Sequence, residues 1–373
     1  MKSKGNVIGG GKVLIGMSGG VDSSVVAALL KEQGYDCVGV YMNLWADPTV
    51  FDLDDKKKFP QNKCCSIGSL MAARSICQRL GIPFYSINFE DVFKNNVVEF
   101  FLEGFREGET PNPCVRCNKT VKFGVLFKKM EELGCDFLAT GHYAKLLTNE
   151  QGVVELHRGK DLAKDQTYFL YNLSQDRLKK ILFPLGGFDK PTVKKLAAQF
   201  GLKELETKRE SQGVCFYPEK TYLEFLKRYL KKDEDFKEGS IEDATGKKLG
   251  THEGLPFYTV GQRKGIGVGG GPALYVHKTD SIRNVLIVGS EEELSTKTVK
   301  IRDVNFLAGE APNEEELLSA KIRSQGALNP CRVLKKGEDT IVEFEAPVRA
   351  IMAGQSLVLY RGTELVGGGI MSW

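Results

Sequence analysis

The sequence has no long apolar run, few histidines and little net charge. No stretch approaches the roughly 20 consecutive apolar residues that would span a bilayer. The first twelve residues are polar and glycine-rich, unlike a secretory signal. We therefore expect a soluble, cytoplasmic protein that does not bind a membrane. A length of 373 residues with 42% hydrophobic content predicts two or three domains with ordinary packed cores.

The net charge of +4 is unevenly distributed. Residues 177–232 contain 14 Lys and Arg against 6 Asp and Glu, a net charge of +8. A basic block in a nearly neutral chain is typical of a protein with a polyanionic partner. A solvated helical face would explain the same charges equally well.

A glycine- and hydroxyl-rich segment at residues 16–24 is the most informative feature, with the sequence Gly-Met-Ser-Gly-Gly-Val-Asp-Ser-Ser. It lies between an apolar strand, predicted at residues 13–15, and an amphipathic helix, predicted at residues 21–33. Unpaired N–H groups and the positive dipole end at such a helix start bind anions. The segment lacks the Gly-Lys-Ser/Thr ending of a Walker A loop, which argues against transfer of a terminal phosphate. An ordinary glycine-rich turn is the alternative.

Strand and helix patterns alternate along the first 212 residues. This alternation predicts an α/β domain with a parallel sheet, whose ligands bind beyond the carboxyl ends of the strands. Residues 213–282 are dense in glycine, and the short β-rich segments of residues 283–373 predict a small barrel or sandwich. Two stretches are predicted to be irregular, at residues 43–65 and 107–118. The predicted strands are 13–15, 37–42, 84–87 and 137–140, and the remaining predicted helices are 70–80 and 120–133.

Nine cysteines, an odd number, argue against a disulfide framework. Cys114 and Cys117 form a C-x-x-C pair after Asn-Pro, and Cys215 lies in a polar, turn-forming segment. Four roles fit these residues: a structural zinc site, a redox dithiol, ligation of an iron–sulfur cluster, or a nucleophile with a sulfur-exchange partner. A zinc site needs four ligands, and beyond Cys215 only four scattered histidines are available.

Six segments, in this order, resemble the tRNA-specific 2-thiouridylase family, which belongs to the ATP pyrophosphatases with a PP-loop. The resemblance implies an N-terminal domain over 1–212 like the adenine nucleotide α-hydrolases, a small central domain over 213–282 that positions the tRNA, and a small C-terminal β-barrel over 283–373. It also implies ATP-dependent thiolation of a wobble uridine, by adenylation of uridine O2 and sulfur transfer from a cysteine persulfide. The segments are residues 16–24, 112–119, 140–144, 164–170, 211–216 and 258–267.

The resemblance assigns roles to individual residues. Cys117 matches the family nucleophile and Cys215 the persulfide-carrying cysteine. The implied ATP-binding residues are Gly16, Met17, Ser18, Gly19, Gly20, Val21, Asp22, Ser23, Met42 and Gly141. The implied contacts with tRNA are Asn112, Pro113, Cys114, Lys164, Asp165, Gln166, Arg323 and Ser324.

The same resemblance extends to cofactors and partners. It implies Mg²⁺ beside ATP, with Asp22 either near the metal or capping the helix, and an upstream persulfide carrier protein. We expect a monomer. His142 follows a predicted strand at the ligand edge, which favours a role beside the nucleotide.

The sequence departs from the commonest family pattern at two places. Many members carry Asp where Cys114 stands, and residues 66–72 lack the expected acidic side chains. With Cys117 and Cys215, Cys114 makes a three-cysteine set of the kind that related thiolases use to hold a [4Fe–4S] cluster. Two alternatives therefore remain: an adenylating thiolase with such a cluster, and a non-enzymatic RNA-binding protein with structural zinc. Cys64 and Cys65 receive no role.

Overall fold

The structure, a computed structural model, describes residues 10–50, 66–205, 213–217, 219, 221–231, 235–269 and 271–373. Four residues noted in the sequence lie outside this range, together with most of the stretch predicted to be irregular at 43–65. These four residues are Cys64, Cys65, Ser211 and Gln212. In the described part of the chain, no helix is both long and apolar enough to cross a membrane.

The part of the chain up to residue 229 combines strands and helices. Its strands are β1 (Lys12–Met17), β2 (Asp36–Asn43), β3 (Phe84–Asn88), β4 (Phe137–Ala139), β5 (Ala144–Thr148), β6 (Val154–Arg158) and β7 (Ile181–Leu182). The helices are α1 (Val21–Glu32), α2 (Ile67–Arg79), α3 (Glu90–Phe93), α4 (Glu99–Arg106), α5 (Pro113–Cys117), α6 (Leu126–Glu132), α7 (Gln175–Leu178), α8 (Lys190–Gln199) and α9 (Tyr222–Tyr229).

Five of these strands form a parallel sheet in the order β3-β2-β1-β4-β7. Helices cover both faces, so β1 is apolar on both sides. Val13 and Ile15 pack into one apolar cluster and Leu14 into the other, and all three are fully buried. The predicted parallel sheet is confirmed, and its carboxyl edge carries the glycine-rich loop.

The stretch predicted to be irregular at residues 107–118 contains a helix instead. α5 begins at Pro113 and continues through a π-helical segment, Asn118–Val125, into α6. The Asn112 side chain accepts hydrogen bonds from the N–H groups of Cys114 (3.1 Å) and Val115 (3.2 Å). Asn-Pro is therefore a helix cap followed by proline at the first helical position, not a loop dipeptide. The predictions of irregular structure at 113–118 and of a helix starting at residue 120 were wrong for this reason.

The second half of the chain is rich in β-strands. β8, β9, β10 and β11 form a four-stranded sheet, and six of the later strands close into an antiparallel barrel through pairing of β12 with β17. The strands are β8 (Gly239–Glu242), β9 (Lys248–His252), β10 (Tyr275–Asp280), β11 (Val285–Gly289), β12 (Ser295–Phe306), β13 (Leu318–Lys321), β14 (Asn329–Lys336), β15 (Asp339–Arg349), β16 (Ser356–Arg361) and β17 (Glu364–Ser372).

A hairpin from the first half extends the C-terminal sheet. β6 pairs with β17, through His157 opposite Glu364 and Leu156 opposite Leu365, and β5 pairs with β6. The apolar side chains of this hairpin join the same cluster as parts of the barrel, including Leu156, Tyr360 and Leu365. The barrel is thereby attached to the elements that follow β4.

Candidate functional site

The glycine-rich loop joins β1 to α1, and its own serine hydroxyl groups form hydrogen bonds within it. The N–H of Ser18 donates to Ser23 Oγ (3.1 Å), and the Ser24 hydroxyl donates to the Gly20 carbonyl (2.7 Å). Gly20 is the N-cap of α1 and makes no side-chain capping bond. The first turn of α1 thus carries the backbone donors and dipole of an anion site.

Two glycines allow the backbone to pack closely around this loop. Gly19 has φ +69°, and a Cβ there would lie 2.2 Å from the Ser69 carbonyl oxygen at the start of α2. A Cβ on Gly141 would lie 3.0 Å from Cβ of Asp22 and 3.2 Å from the N atom of Ser23. Segments following two different strands therefore meet at the start of α1, as predicted for a parallel sheet.

Asp22 forms an ion pair with a buried lysine, which the sequence did not reveal. The Lys190 Nζ lies 2.8 Å from both carboxylate oxygens of Asp22, and the Tyr143 hydroxyl donates to one of them (2.8 Å). Lys190 is only 7% exposed. Gly20, not Asp22, occupies the cap position of α1. The sequence Asp189-Lys190-Pro191 could have indicated a helix start shortly after a strand, and the Asp189 side chain does cap α8.

One cleft of about 1330 Å³ opens beside the loop. The loop, the start of α5, the segment after β4, the 164–166 segment and the C-terminal barrel all contribute to its walls. Its lining includes most of the residues predicted from the sequence to form the site: Ser18, Gly20, Val21, Asp22, Asn112, Pro113, Cys114, Gly141, Lys164, Asp165, Gln166, Arg323 and Ser324.

The remaining predicted site residues do not line the described part of this cleft. Met42 is half-buried near the end of β2 and packs against the sheet core. Cys117 and Cys215 pack in or against an apolar cluster, some of whose members line the cleft. Gly16, Met17, Gly19 and Ser23 belong to β1, the loop and the first turn of α1. The cleft also contains Lys122, Lys190 and Gln355, for which the sequence predicted no role.

The three candidate cysteines lie in different surroundings. Cys114 is half-buried and lines the cleft, whereas Cys117, one helical turn later, is 7% exposed in an apolar cluster. Cys215 packs against the same cluster as Cys117. The α5 helix thus presents one thiol to the cleft and turns the other toward the Cys215 segment.

An aromatic cluster holds the Cys215 segment in place. The Phe216 ring is buried and makes edge contacts with Phe101 (5.3 Å between centroids) and Phe225 (5.1 Å). Burial raises the pKa of the Tyr217 phenol to about 12, with Cys114 and Cys215 adding to the shift. Tyr217 therefore lies close to the Cys114 thiol on α5 and to the Cys215 thiol.

Several residues predicted to contact RNA also shape the cleft walls. The Asp165 carboxylate is 1% exposed, pairs with Arg158 (3.1 Å) and accepts from the Thr167 hydroxyl. Gln166 Oε1 accepts from the Tyr143 N–H (3.0 Å). Arg323 donates to the Ala350 carbonyl (3.0 Å), and burial lowers the pKa of its guanidinium. Their contacts with tRNA stay predictions.

The cleft is rich in positive charge. Four basic residues line its described part, against two carboxylates, Asp22 and Asp165, that are already paired with basic residues. Such an excess suits phosphate groups. The basic residues are Lys122, Lys164, Lys190 and Arg323.

His142 lies in the same cleft as a neutral ring. It is 6% exposed, and its Nδ1 is 2.8 Å from the Thr140 hydroxyl. Burial, together with the charge of Lys122, lowers the pKa of His142 well below 6.5. Its predicted role beside the nucleotide stays a prediction.

The described residues do not provide side chains for a metal or a cluster. No group of three or more His, Cys, Asp or Glu within the described ranges is arranged to hold a metal ion. In particular, Cys114, Cys117 and Cys215 do not form a three-thiolate site for [4Fe–4S], and Asp22 is engaged by Lys190. The loop, by contrast, fits the phosphates of a nucleotide.

Comparison with known proteins assigns the family. A model described as "tRNA methyl transferase HUP domain" matches residues 11–219. A "tRNA methyl transferase PRC-barrel domain" model matches 223–290, and an "Aminomethyltransferase beta-barrel domain" model matches 296–371. A tRNA-specific 2-thiouridylase from Clostridioides difficile is 42% identical over 96% of this chain and 98% of its own length. This chain belongs to the tRNA-specific 2-thiouridylase family.

Other comparisons agree with this membership. A 2-thiouridylase from Carboxydothermus hydrogenoformans is 44% identical over 98% of each chain. The family models are labelled for methyl transfer, whereas both nearly full-length relatives carry the thiouridylase name. The solved U34-tRNA thiolase from Methanococcus maripaludis is 22% identical, with a TM-score of 0.33 over 52% of this chain and 58% of that one, too distant to support a conclusion. The predicted family and the predicted three-part fold are confirmed.

Proposed function

We propose that this protein replaces oxygen with sulfur at C2 of the wobble uridine of tRNA and consumes ATP to do so. One observation carries the proposal: a single cleft joins the phosphate loop, Cys114 on α5 and two barrel residues, Arg323 and Ser324. The names of the relatives at 42% and 44% identity support the same activity. Cys114 in the cleft, with Cys117 and Cys215 in the adjoining apolar cluster, favours sulfur chemistry over methyl transfer.

The first step activates the oxygen. Uridine O2 attacks the α-phosphorus of ATP, the bond from that phosphorus to the β-phosphate oxygen breaks, and pyrophosphate leaves. The backbone N–H groups at the start of α1 hold phosphate oxygens and stabilise the charge that develops on them. The target base must leave the anticodon stack to reach this point, and the basic residues of the cleft hold the RNA backbone.

The second step delivers sulfur. A carrier protein loads Cys215 as a persulfide, and its terminal sulfur attacks C2, so that AMP departs with the former O2. The Cys117 thiolate then attacks the inner sulfur of Cys215, which releases 2-thiouridine and leaves a Cys117–Cys215 disulfide. An external thiol reduces this disulfide and returns both thiols. In a variant route, Cys117 acts first and releases sulfide as the attacking species.

The residues present limit which cofactors enter this mechanism. ATP fits the loop. A magnesium ion bound with ATP would withdraw charge from the phosphates, but the described side chains offer no three-ligand site for it. The three cysteines do not fit a [4Fe–4S] cluster, so no step passes through one. Sulfur transfer by Cys215 and Cys117 is therefore favoured over the cluster alternative.

Separate assays of the two steps test this proposal. Unmodified tRNA, ATP, a persulfide donor and a thiol reductant are supplied to wild type, Cys117→Ser, Cys215→Ser and Cys114→Ser. We expect Cys117→Ser and Cys215→Ser to release one equivalent of pyrophosphate in the presence of tRNA but to form no 2-thiouridine. Cys135→Ser is the matched control, because Cys135 is buried in the sheet core.

Three outcomes would contradict parts of the proposal. Full turnover by Cys117→Ser would remove Cys117 from the nucleophile role. Absence of tRNA-dependent pyrophosphate release in the wild type would contradict adenylation. Stoichiometric zinc, with unfolding on chelation, would favour a structural metal at the C-x-x-C pair instead.

A further inference from the structure

The pair formed by Lys190 and Asp22 lies where the nucleotide phosphates are expected. Asp22 is the second residue of α1, immediately after the loop, and Lys190 is the first residue of α8. Both residues line the cleft. The Asp22 side chain is 32% exposed, whereas the Lys190 side chain is 9% exposed. The Lys190 ammonium is therefore held inside the wall of the phosphate site by the more accessible Asp22 carboxylate.

The surroundings of Lys190 fix the position of its ammonium. Both carboxylate oxygens of Asp22 lie 2.8 Å from Nζ, and the Tyr143 ring lies beneath it, with its centroid 5.7 Å away. The Tyr143 hydroxyl donates to Asp22, so one aromatic side chain contacts both members of the pair. A lysine is rarely buried unless it is paired, and a pair at this depth costs desolvation energy that a purely structural contact does not require.

We propose that Lys190 is a further catalytic residue of this site. Its ammonium contacts the ATP phosphates and stabilises the negative charge that builds on pyrophosphate as the bond from the α-phosphorus breaks. Asp22 and Tyr143 are positioning residues that hold the ammonium beside the loop before ATP arrives. This proposal rests on the adenylation step of the proposed function and names the side chain that assists it.

Charge explains why the pair is suited to this task. The loop supplies neutral backbone N–H groups, each with only a partial positive charge, whereas ATP and the departing pyrophosphate are polyanions. A full positive charge at the loop, fixed in a partly desolvated wall, interacts with them more strongly than a solvated one would. Removing one preorganised donor of this kind typically slows catalysis by about 100-fold to 1000-fold.

The test separates ATP binding from bond cleavage. The affinity for ATP is measured by calorimetry, and pyrophosphate release is followed in single turnovers with tRNA at saturating ATP. We expect Lys190→Met to slow release by about 100-fold, and Lys190→Arg, which keeps the charge, to retain a larger share of the rate. Lys160→Met is the matched control, because Lys160 is 57% exposed, pairs with Asp189 beside the same helix and does not line the cleft.

A double variant keeps the test decisive if Lys190→Met fails to fold. Lys190→Met leaves Asp22 without its cation, whereas Asp22→Asn with Lys190→Met removes both charges and should fold. We expect the double variant to be as slow as Lys190→Met, and Asp22→Asn alone, which keeps the ammonium, to be much faster.

Two results would overturn the role of Lys190. The first is pyrophosphate release at the wild-type rate by the double variant. The second is pyrophosphate release at the wild-type rate by a folded Lys190→Met variant, because the ammonium would then not be the active element. If the wild type itself releases no tRNA-dependent pyrophosphate, the adenylation step fails, and this outcome is distinguishable from both.

Discussion

At the scale of single residues, the glycine-rich loop has both a sequence typical of an anion site and a position, Gly19, where close packing requires glycine. The sequence predicted an anion site from Ser18, Gly19 and Gly20, and the structure adds the reason why Gly19 must be glycine. Its neighbour, the Ser69 carbonyl, lies 50 residues away along the chain, at the start of α2. Local patterns cannot reveal such a contact, because it depends on how two helices pack.

Gly19→Ala should therefore lower the affinity for ATP. Gly34→Ala is the matched control, because Gly34 also has positive φ (+85°) but has open space around its Cβ position. Each change should lower the free energy of unfolding by about 1–2 kcal/mol through backbone strain. Only Gly19→Ala should also weaken ATP binding, by displacing Ser69. ATP titrations and urea unfolding check this, and wild-type affinity in Gly19→Ala would contradict the close packing.

A second prediction at this scale concerns pH. Because burial lowers the pKa of His142 well below 6.5, the unfolded chain takes up a proton that the folded chain does not. Stability is therefore present above pH 6.5 and is lost as the pH falls below it, by about 1 kcal/mol between pH 7 and 5.5. Urea unfolding followed by fluorescence of buried Trp45 measures this, and His142→Gln should reduce the pH dependence. An unchanged slope in His142→Gln would contradict a neutral, buried ring.

At the scale of elements, α5 is the helix that positions the cysteines. Its N-cap, Asn112, was predicted to face the target base, and the structure shows its side-chain oxygen bound to two N–H groups of the first turn. Long irregular stretches and capped short helices have similar compositions, so the sequence suggested a loop. The four predicted strands of the parallel sheet, in contrast, were located correctly, and three of them, β1, β2 and β4, are mostly buried and apolar.

Two substitutions distinguish the cap from a contact with the base. Asn112→Ala should lower the free energy of unfolding by about 1 kcal/mol and reduce thiolation, because the first turn loses its acceptor. Asn112→Asp keeps the acceptor and removes the amide N–H groups, so it should preserve stability and most of the thiolation rate. A stable but inactive Asn112→Asp would instead show that the amide contacts the substrate.

At the scale of the whole molecule, the segment before α5 is held by both of the later parts of the chain. The Glu109 carboxylate pairs with Arg302 on β12 (2.6 Å), and the Thr110 N–H donates to the Ala353 carbonyl (2.9 Å). The Thr279 hydroxyl on β10 donates to the Gly108 carbonyl. The order of motifs indicated three domains, but it could not show that the barrel holds the cysteine helix in place.

Reversing the charge of Arg302 tests this attachment. Arg302→Glu places two carboxylates together and should slow thiolation by shifting the segment that leads into α5. It should change stability by no more than about 1 kcal/mol, because Arg302 is 43% exposed. Glu109→Arg combined with Arg302→Glu should restore the rate. Thiolation kinetics of the two variants measure this, and a double variant as slow as Arg302→Glu would contradict a role for the ion pair.

The family and the three-part fold were thus predictable from the sequence, and most of the predicted site residues line one cleft. The sequence did not reveal Lys190, the cap at Asn112 or the hairpin of β5 and β6 that joins the barrel. The position of Lys190 and the pairing of the hairpin depend on contacts between segments that are distant in the sequence. Asn112 could have belonged to a turn as easily as to a helix cap. The predicted site residues that line this cleft belong to local motifs, whereas the residues that contact them, such as Lys190, lie far away in the sequence.

The fate of the uridine oxygen shows whether the base is adenylated. A tRNA carrying ¹⁸O at C2 of the wobble uridine is thiolated in a single turnover, and the AMP released is analysed by mass spectrometry. We predict that the AMP phosphate gains one ¹⁸O, because O2 attacks the α-phosphorus and leaves with it. Formation of 2-thiouridine together with AMP that contains no ¹⁸O would contradict adenylation of the base.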